Sequence, residues 1–180
     1  MHQPRDRLPA SIETARLALV PPVPAHAPAI ARLANNRNVH RWLARLPFPY
    51  SLEDARRFIE EIAPGESEHC FAIVRREGEV IGVVGLHFAA GLAPELGYWL
   101  GEPYWGRGYA SEAAAAVVAA ARIAGFATLR SRALASNGRS RRVLRKLGFA
   151  EIGEGPDPAG ANKGLPAIFM RLDLGGEAAR

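Results

Sequence analysis

A mixed α/β fold, in which a mostly antiparallel central sheet is flanked by helices, is what this sequence of 180 residues predicts, and three observations carry that expectation. Short β-rich runs at 70–74, 80–86 and 95–100 are separated only by turns, the pattern of an antiparallel meander. The third run passes through a glycine-rich turn into an alanine-rich helical stretch and then a further strand at 129–134, which closes a parallel strand–helix–strand unit. A hydrophobic share of 48% supports one sizeable core without a disulfide or metal staple.

The elements follow in order. Residues 1–12 are polar and rich in proline and are expected as a flexible arm, ahead of a single domain over 13–174 and a tail at 175–180. In 13–20, Leu17 and Leu19 alternate as in a half-buried strand. Residues 24–35 place Ile30, Leu33 and Ala34 at helical spacing, and the polar run 35–38 breaks the helix. A short helical turn at 39–43 precedes the PFPY loop at 47–50, whose aromatics either plug the core, the favoured reading, or line a substrate entrance. Ser51 with Asp54 three residues on reads as a capping box, after which Ala55, Phe58, Ile59 and Ile62 share one face, and Pro64 and Gly65 stop the helix. The turn at 75–79 joins two strands as a hairpin. A second helix after 129–134 starts at Asn137 or Gly138, with Val143, Leu144 and Leu147 inward and Arg139, Arg142 and Lys146 on another face, and stops at Gly148. A strand at 149–152, a surface loop at 153–160 and a last strand at 167–172 complete the chain, which shows no internal repeat.

Charge and motifs narrow the chemistry. The formal charge is +5, and Arg139, Arg141, Arg142, Arg145 and Lys146 crowd one segment, which implies anionic ligands or a solvated helix face. Direct nucleic-acid binding is not expected. The stretch YWGRGYASE at 104–112 packs two glycines and an arginine before a helix, the makings of a phosphate cradle, because a helix start leaves N–H groups without partners and adds partial positive charge. A dinucleotide site fits poorly: the loop follows a meander and no acidic residue ends the next strand. A nucleoside-triphosphate loop needs Gly-Lys-Ser or Gly-Lys-Thr, which is absent. Coenzyme A, with a pyrophosphate and a 3′-phosphate, is the remaining reading. The histidines at 2, 26, 40, 69 and 87 lack ligand spacing, so no metal is expected. Lone Cys70 suits a reducing, cytoplasmic setting and reads as a small core hydrophobe. The first residues lack the apolar core of a signal peptide, and no run approaches the roughly 18 apolar residues of a membrane span.

Four motifs in order, ELGYWL at 95–100, YWGRGYASEA at 104–113, NGRS at 137–140 and KLGF at 146–149, together with ETARL at 13–17, resemble the GNAT N-acetyltransferases, particularly the branch that acetylates ribosomal-protein N-termini (RimJ/RimL-like). The likeness spans about residues 13–172 and implies a GNAT fold using acetyl-CoA as acyl donor. It further implies that backbone N–H groups of Trp105, Gly106, Arg107, Gly108, Tyr109, Ala110 and Ser111 hold the pyrophosphate, although Trp105 replaces the family's usual Arg or Gln. It implies that Trp99 and Leu100 pair with the pantetheine arm, and that Asn137 and Ser140 contact the same arm. Glu95 is the candidate base for the acceptor amine, directly or through water, and Ser140 the candidate hydrogen-bond partner of the leaving sulfur. Leu144 stands where many members have a tyrosine acid, which departs from the pattern. Glu112 is expected to serve the helix start. The implied acceptor is a peptide N-terminus; a small-molecule amine or aminoglycoside, or a noncatalytic acyl-CoA-binding module, are the alternatives, and monomer or homodimer is open.

Overall fold

Eight strands share one sheet in the computed structural model, which describes residues 4–175: β1 (Ile12–Glu13), β2 (Leu17–Val20), β3 (Glu68–Arg75), β4 (Val80–His87), β5 (Glu95–Leu100), β6 (Thr128–Leu134), β7 (Ala150–Pro156) and β8 (Pro166–Asp173). They lie in the order β1-β2-β3-β4-β5-β6-β8-β7, and every pairing is antiparallel except β5 with β6. The expected meander and parallel crossover are therefore present. The helices are α1 (Ala27–Ala34), α2 (Arg37–His40), α3 (Leu52–Arg57), α4 (Tyr109–Ala124) and α5 (Gly138–Lys146).

Alternation along the strands builds two apolar layers. Leu17, Leu19, Phe71, Val84, Leu86, Leu96 and Leu100 join Tyr109, Ala113, Val117 and Ala121 of α4 under one face. Val80 and Val83 meet Ala27, Ile30, Ala34, Tyr50, Ala55 and Ile59 from the α1 and α3 side. Each fully buried Leu or Ile contributes about 1.5–3 kcal/mol by leaving water, which fixes which face each strand presents. The capping box forms as expected: Ser51 Oγ accepts from Asp54 N at 3.1 Å while Asp54 Oδ2 accepts from Ser51 N at 2.8 Å. Beyond α3 the chain widens into a π-helical turn, Phe58–Ile62, closed by Ala63 N donating to Phe58 O.

Two sequence expectations change in detail. The described part of the segment expected as a loose arm is tied down, because Arg5 donates to the carbonyls of Gly65 (3.0 Å) and Glu68 (3.3 Å) and Pro9 O meets His69 Nε2 at 3.0 Å. The stretch 153–160, expected as a surface loop, begins as strand, since β7 pairs with β8 as far as Pro156 opposite Pro166. Residues 176–180 of the expected tail lie outside the described residues.

The segments 41–49 and 157–165 meet over the α1/α3 face. Ala161 N donates to Ala44 O at 2.9 Å, and a Cβ added at Gly160, whose φ is +62°, would fall 1.6 Å from that same oxygen. Only glycine fits there. Gly160→Ala is expected to cost about 1–3 kcal/mol in urea unfolding through strain and the displaced contact.

Candidate active site

A single missing ladder organises the site. Beyond the one register pair, Glu95 opposite Arg130, β5 and β6 separate. Ser131 Oγ rather than a backbone N–H donates to Leu96 O (2.8 Å), and Trp105 Nε1 takes Leu100 O (2.8 Å). Backbone groups alternate sides along a strand. Leu96 O turns toward β6 while Gly101 N bonds Ile81 O on the other side at 2.9 Å, so Tyr98 and Leu100 address the opening and Trp99 addresses β4. Trp99, expected to offer its backbone to pantetheine, thus brings its indole to the site instead. Tyr98 takes its place at the opening.

The separation opens a cavity of about 720 Å³ that reaches both faces of the sheet. On the α4/α5 face it is walled by Trp105, Gly106, Gly108, Tyr109, Ala110 and Ser111. Gly106 and Gly108 have φ of +75° and +81°, which turns the loop so that the amides of 106–111 converge on the start of α4. Among the described residues none of those amides has an acceptor in the protein, and the first bond of the helix is Glu112 N to Gly108 O. This is a nest of donors suited to an oxygen-rich anion. Arg107 is exposed and stands outside the cavity wall.

The basic cluster divides. Arg141 and Arg145 both pair with Glu151, hydrogen bonds that hold its carboxyl below the ordinary range. Arg139, Arg142 and Lys146 line the cavity and have no carboxylate partner among the described residues. Arg139 rests over the Trp105 ring at 5.4 Å. Unspent positive charge therefore sits beside the donor nest.

A clasp fixes that nest from the turn between β1 and β2. Glu112 Oε1 accepts from Thr14 Oγ1 (2.7 Å) and Arg16 N (2.8 Å), and Oε2 accepts from Arg16 Nε at 2.6 Å. Arg16 Nη1 reaches on to Arg107 O at 3.0 Å, inside the glycine loop. Burial pushes the Glu112 carboxyl up, but the hydrogen bonds from Thr14 and Arg16 outweigh it and hold the group below its usual value.

On the same face, Asn137 Oδ1 caps α5 by accepting from Ser140 N (3.1 Å), leaving its Nδ2 without a partner among the described residues. Ser140 Oγ lies 3.0 Å from the Tyr98 hydroxyl. Burial pushes the Tyr98 phenol up to about 12, against the opposing bond to Ser140, so it stays protonated at neutral pH. Leu144, at the position of the family's tyrosine acid, is fully buried core. Tyr98 was not singled out from the sequence; the parity of β5, which sets it opposite Glu95 and beside Ser140, is the signal that finds it.

The α1/α3 face of the cavity has another character. Gly85 and Gly97 pair across β4 and β5, and a side chain at Gly97 would meet nothing within 4 Å, so the sheet forms an empty trough there. Trp42, Leu46, Phe58 and Trp99 give it apolar walls. At one end Glu68, His87, Glu95 and Arg130 stand in register across β3, β4, β5 and β6. Glu95 is heavily engaged: both oxygens accept from Arg132 Nη1 (2.8 and 2.9 Å), with Arg130 at 3.6 Å and Arg45 at 4.0 Å. To act as a base it would first have to give up these contacts. Arg132 also reaches the buried Asp157 at 3.4 Å. His87 Nδ1 is 2.8 Å from Glu68 Oε1, and its Nε2 has no partner among the described residues. Cys70 lines the wall, and burial with Glu68 nearby pushes its thiol up to about 12, where it is a poor nucleophile.

The glycine loop expected as a phosphate cradle lies beside the split between β5 and β6, and residues 16–150 match the family model described as an acetyltransferase (GNAT) domain. The chain belongs to the GNAT acetyltransferase family. Acyl transfer from acetyl-CoA is that family's chemistry, and the free amides of 106–111 with Arg139, Arg142 and Lys146 fit such a donor. Solved GNAT structures share the fold. A GNAT family acetyltransferase of Bacillus anthracis superposes with a TM-score of 0.80 at 21% identity, over 91% of this chain and 98% of that one. The ribosomal-protein-S5-alanine acetyltransferase of Vibrio fischeri gives 0.78 at 19% identity, over 93% and 98%. The microcin C7 self-immunity acetyltransferase MccE, solved in complex with acetyl-CoA and AMP, gives 0.80 at 20% identity, over 93% and 99%. No curated protein sequence matches the chain.

Two outcomes test this geometry. Glu112→Gln should weaken acetyl-CoA binding in calorimetry. It should also flatten the acid limb of stability, because a depressed carboxyl contributes fully above its ordinary value of 4.5 and loses that contribution as the pH falls through the lower folded value. Gly97→Ala, whose added Cβ meets no protein atom within 4 Å, should leave the melting temperature within a few degrees while cutting acetyl transfer by about 10-fold or more, since it narrows the trough.

Proposed function

We propose that the protein is an N-acetyltransferase that passes the acetyl group of acetyl-CoA directly to an amine seated in the Gly97 trough, and that the acceptor is a protein α-amino terminus of the ribosomal-protein type. The observation that carries this reading is the split between β5 and β6, which joins an anion nest on one face to an open, apolar-walled trough on the other. Donor and acceptor meet through the sheet.

The chemistry follows from the residues at the split. The pyrophosphate rests on the amides of 106–111, with Arg139, Arg142 and Lys146 free for the remaining phosphate. Pantetheine runs along the open edge of β5, where Tyr98 and Leu100 present backbone groups and Asn137 offers Nδ2. A backbone N–H at this edge is aimed to meet the oxygen that becomes negative as the amine attacks. The leaving thiolate meets Ser140 and Tyr98. With Tyr98 near 12 and a thiol near 8.5, full proton transfer from the phenol would run uphill by roughly 4–5 kcal/mol, so this pair acts as a hydrogen-bond cradle for sulfur. Glu95 holds Arg132, Arg130 and Arg45 and sets the charge at the acceptor end. Direct transfer is favoured over an acetylated enzyme because the Cys70 thiol stays protonated.

Three features support a peptide acceptor. The trough is wide and apolar along Trp42, Leu46 and Phe58. Buried Asn162 lines the cavity with a carboxamide that has no partner among the described residues, and a carboxamide complements a peptide bond, donor to acceptor and acceptor to donor. The chain also shares its fold with proteins described as ribosomal-protein acetyltransferases from Vibrio fischeri and Vibrio cholerae. The unpaired Cys70 suits a cytoplasmic setting.

Mass spectrometry of a peptide library incubated with acetyl-CoA, with polyamines and amino sugars in parallel, should show acetyl groups on peptide α-amines. Acetylation confined to lysine side chains or to small amines would overturn the acceptor assignment. Binding of acetyl-CoA without release of free CoA on any amine would leave a binding module.

A further inference from the structure

We propose that His87, oriented by Glu68, is the general base that takes the proton from the acceptor amine, an inference that rests on the reading of the Gly97 trough as the acceptor site. An amine needs such a group. A protein α-amino group has a pKa of roughly 8, and the nitrogen that attacks the thioester must shed a proton as the amide forms. The carboxylate expected for this work, Glu95, has both oxygens on Arg132 and two further guanidiniums nearby. His87 is differently placed.

Its Nδ1 is 2.8 Å from Glu68 Oε1, and since a carboxylate only accepts, Nδ1 carries the proton. Nε2 is then the lone-pair nitrogen, and no group among the described residues occupies it. The imidazole lines the cavity. In register His87 faces Glu95 on β5, and Gly97 is the diagonal neighbour on the same face, about 7–8 Å away between strand positions and within reach of a ring directly or through one water. Gly97 puts no side chain between the ring and the trough, while the space over Gly85, two residues back on β4, is taken by Cys70 at 2.6 Å from where a Cβ would stand.

The charges around the ring suit the role. Glu68 lies across β3, and the Arg45 guanidinium, 3.3 Å from Glu68, screens part of its charge. Cys70, two positions along β3, stays a neutral thiol. Glu95 faces the ring from β5, and its charge is matched by Arg130 and Arg132 of β6, with Asp157 beyond them. The imidazolium formed during transfer is therefore met by the one carboxylate it already touches. In the step itself the amine nitrogen forms a bond to the thioester carbon and His87 Nε2 takes the N–H proton. The carbon–sulfur bond breaks, its electrons leave as CoA thiolate cradled by Ser140 and Tyr98, and the imidazolium returns its proton to solvent.

The test compares His87→Gln with the wild-type protein on one amine across about pH 5 to 9, reading the ratio of kcat/KM so that the acceptor's own ionisation cancels. The ratio should be about 1/100 at high pH and rise toward unity at low pH, where the wild-type base is itself protonated. Glu68→Gln should lower kcat while leaving KM for the amine within about 2-fold, because a carboxamide can turn its NH₂ toward Nδ1 and no longer fixes the tautomer that leaves Nε2 free; a merely structural role would not split kcat from KM. Unchanged acetyl-CoA affinity by calorimetry shows that both variants are folded, and His87→Asn provides a second truncation. A flat ratio, a ratio within about 3-fold of unity throughout, or an unchanged kcat in Glu68→Gln overturns the assignment while leaving the transferase reading intact. A wild-type protein that acetylates no amine overturns both.

Discussion

The failure of β5 and β6 to stay paired is the constraint on which the rest of the molecule depends. A continuous sheet would separate the α4/α5 face from the α1/α3 face with a wall of hydrogen-bonded backbone. Here the ladder stops after Glu95 and Arg130, and side chains, Ser131 Oγ and Trp105 Nε1, take up Leu96 O and Leu100 O. Unpaired backbone inside a protein is costly unless something satisfies it. Two of the exposed carbonyls are met internally, and the backbone groups of Tyr98 and the amide of Leu100 stay open to the cavity. The gap is at once a defect in the sheet and a strand-shaped recognition edge.

Around that gap the polar groups divide into those spent on structure and those kept in reserve. Arg141 and Arg145 are spent on Glu151, Arg16 on Glu112 and the glycine loop, Arg132 on Glu95 and Asp157. Arg139, Arg142, Lys146, Asn137 Nδ2, Asn162 and His87 Nε2 have no such partner among the described residues and line the same cavity, whose wall also carries the glycine loop at Gly106 and 108–111. Arg139, Arg142 and Lys146 are exposed, and no fully buried side-chain nitrogen or oxygen among the described residues lacks a partner, so these groups stay within reach of solvent until a ligand replaces it.

Much of this was legible in the sequence because its signals are local. Period-two alternation at Leu17 and Leu19, the Ser51 and Asp54 capping box, and the glycines before α4 each act within a few residues, and the four ordered motifs carried the family. What the sequence hid depends on register and on distant partners. Tyr98 and Trp99 are adjacent, and only the pairing of β5 with β4 decides which of them turns its backbone to the gap. Glu95 looked available because Arg132 and Arg45 are 37 and 50 residues away and their convergence is tertiary. His87 falls near a strand end, where sequence alone allows it to line a substrate site, but its pairing with Glu68 was hidden because that partner belongs to another strand. The role of Arg16 and Thr14 in steadying the phosphate loop was equally invisible, although the motif containing them was noted.

The contact between Gly160 and Ala44 has a wider meaning for how this scaffold diversifies. The roof over the Gly97 trough is built from two segments more than a hundred residues apart, and they touch through backbone at a spot too tight for any side chain. Neither segment can be lengthened or exchanged without the other losing its seat. In a molecule built this way the two loops form a matched pair, and transplanting one alone between relatives would carry over half a lock.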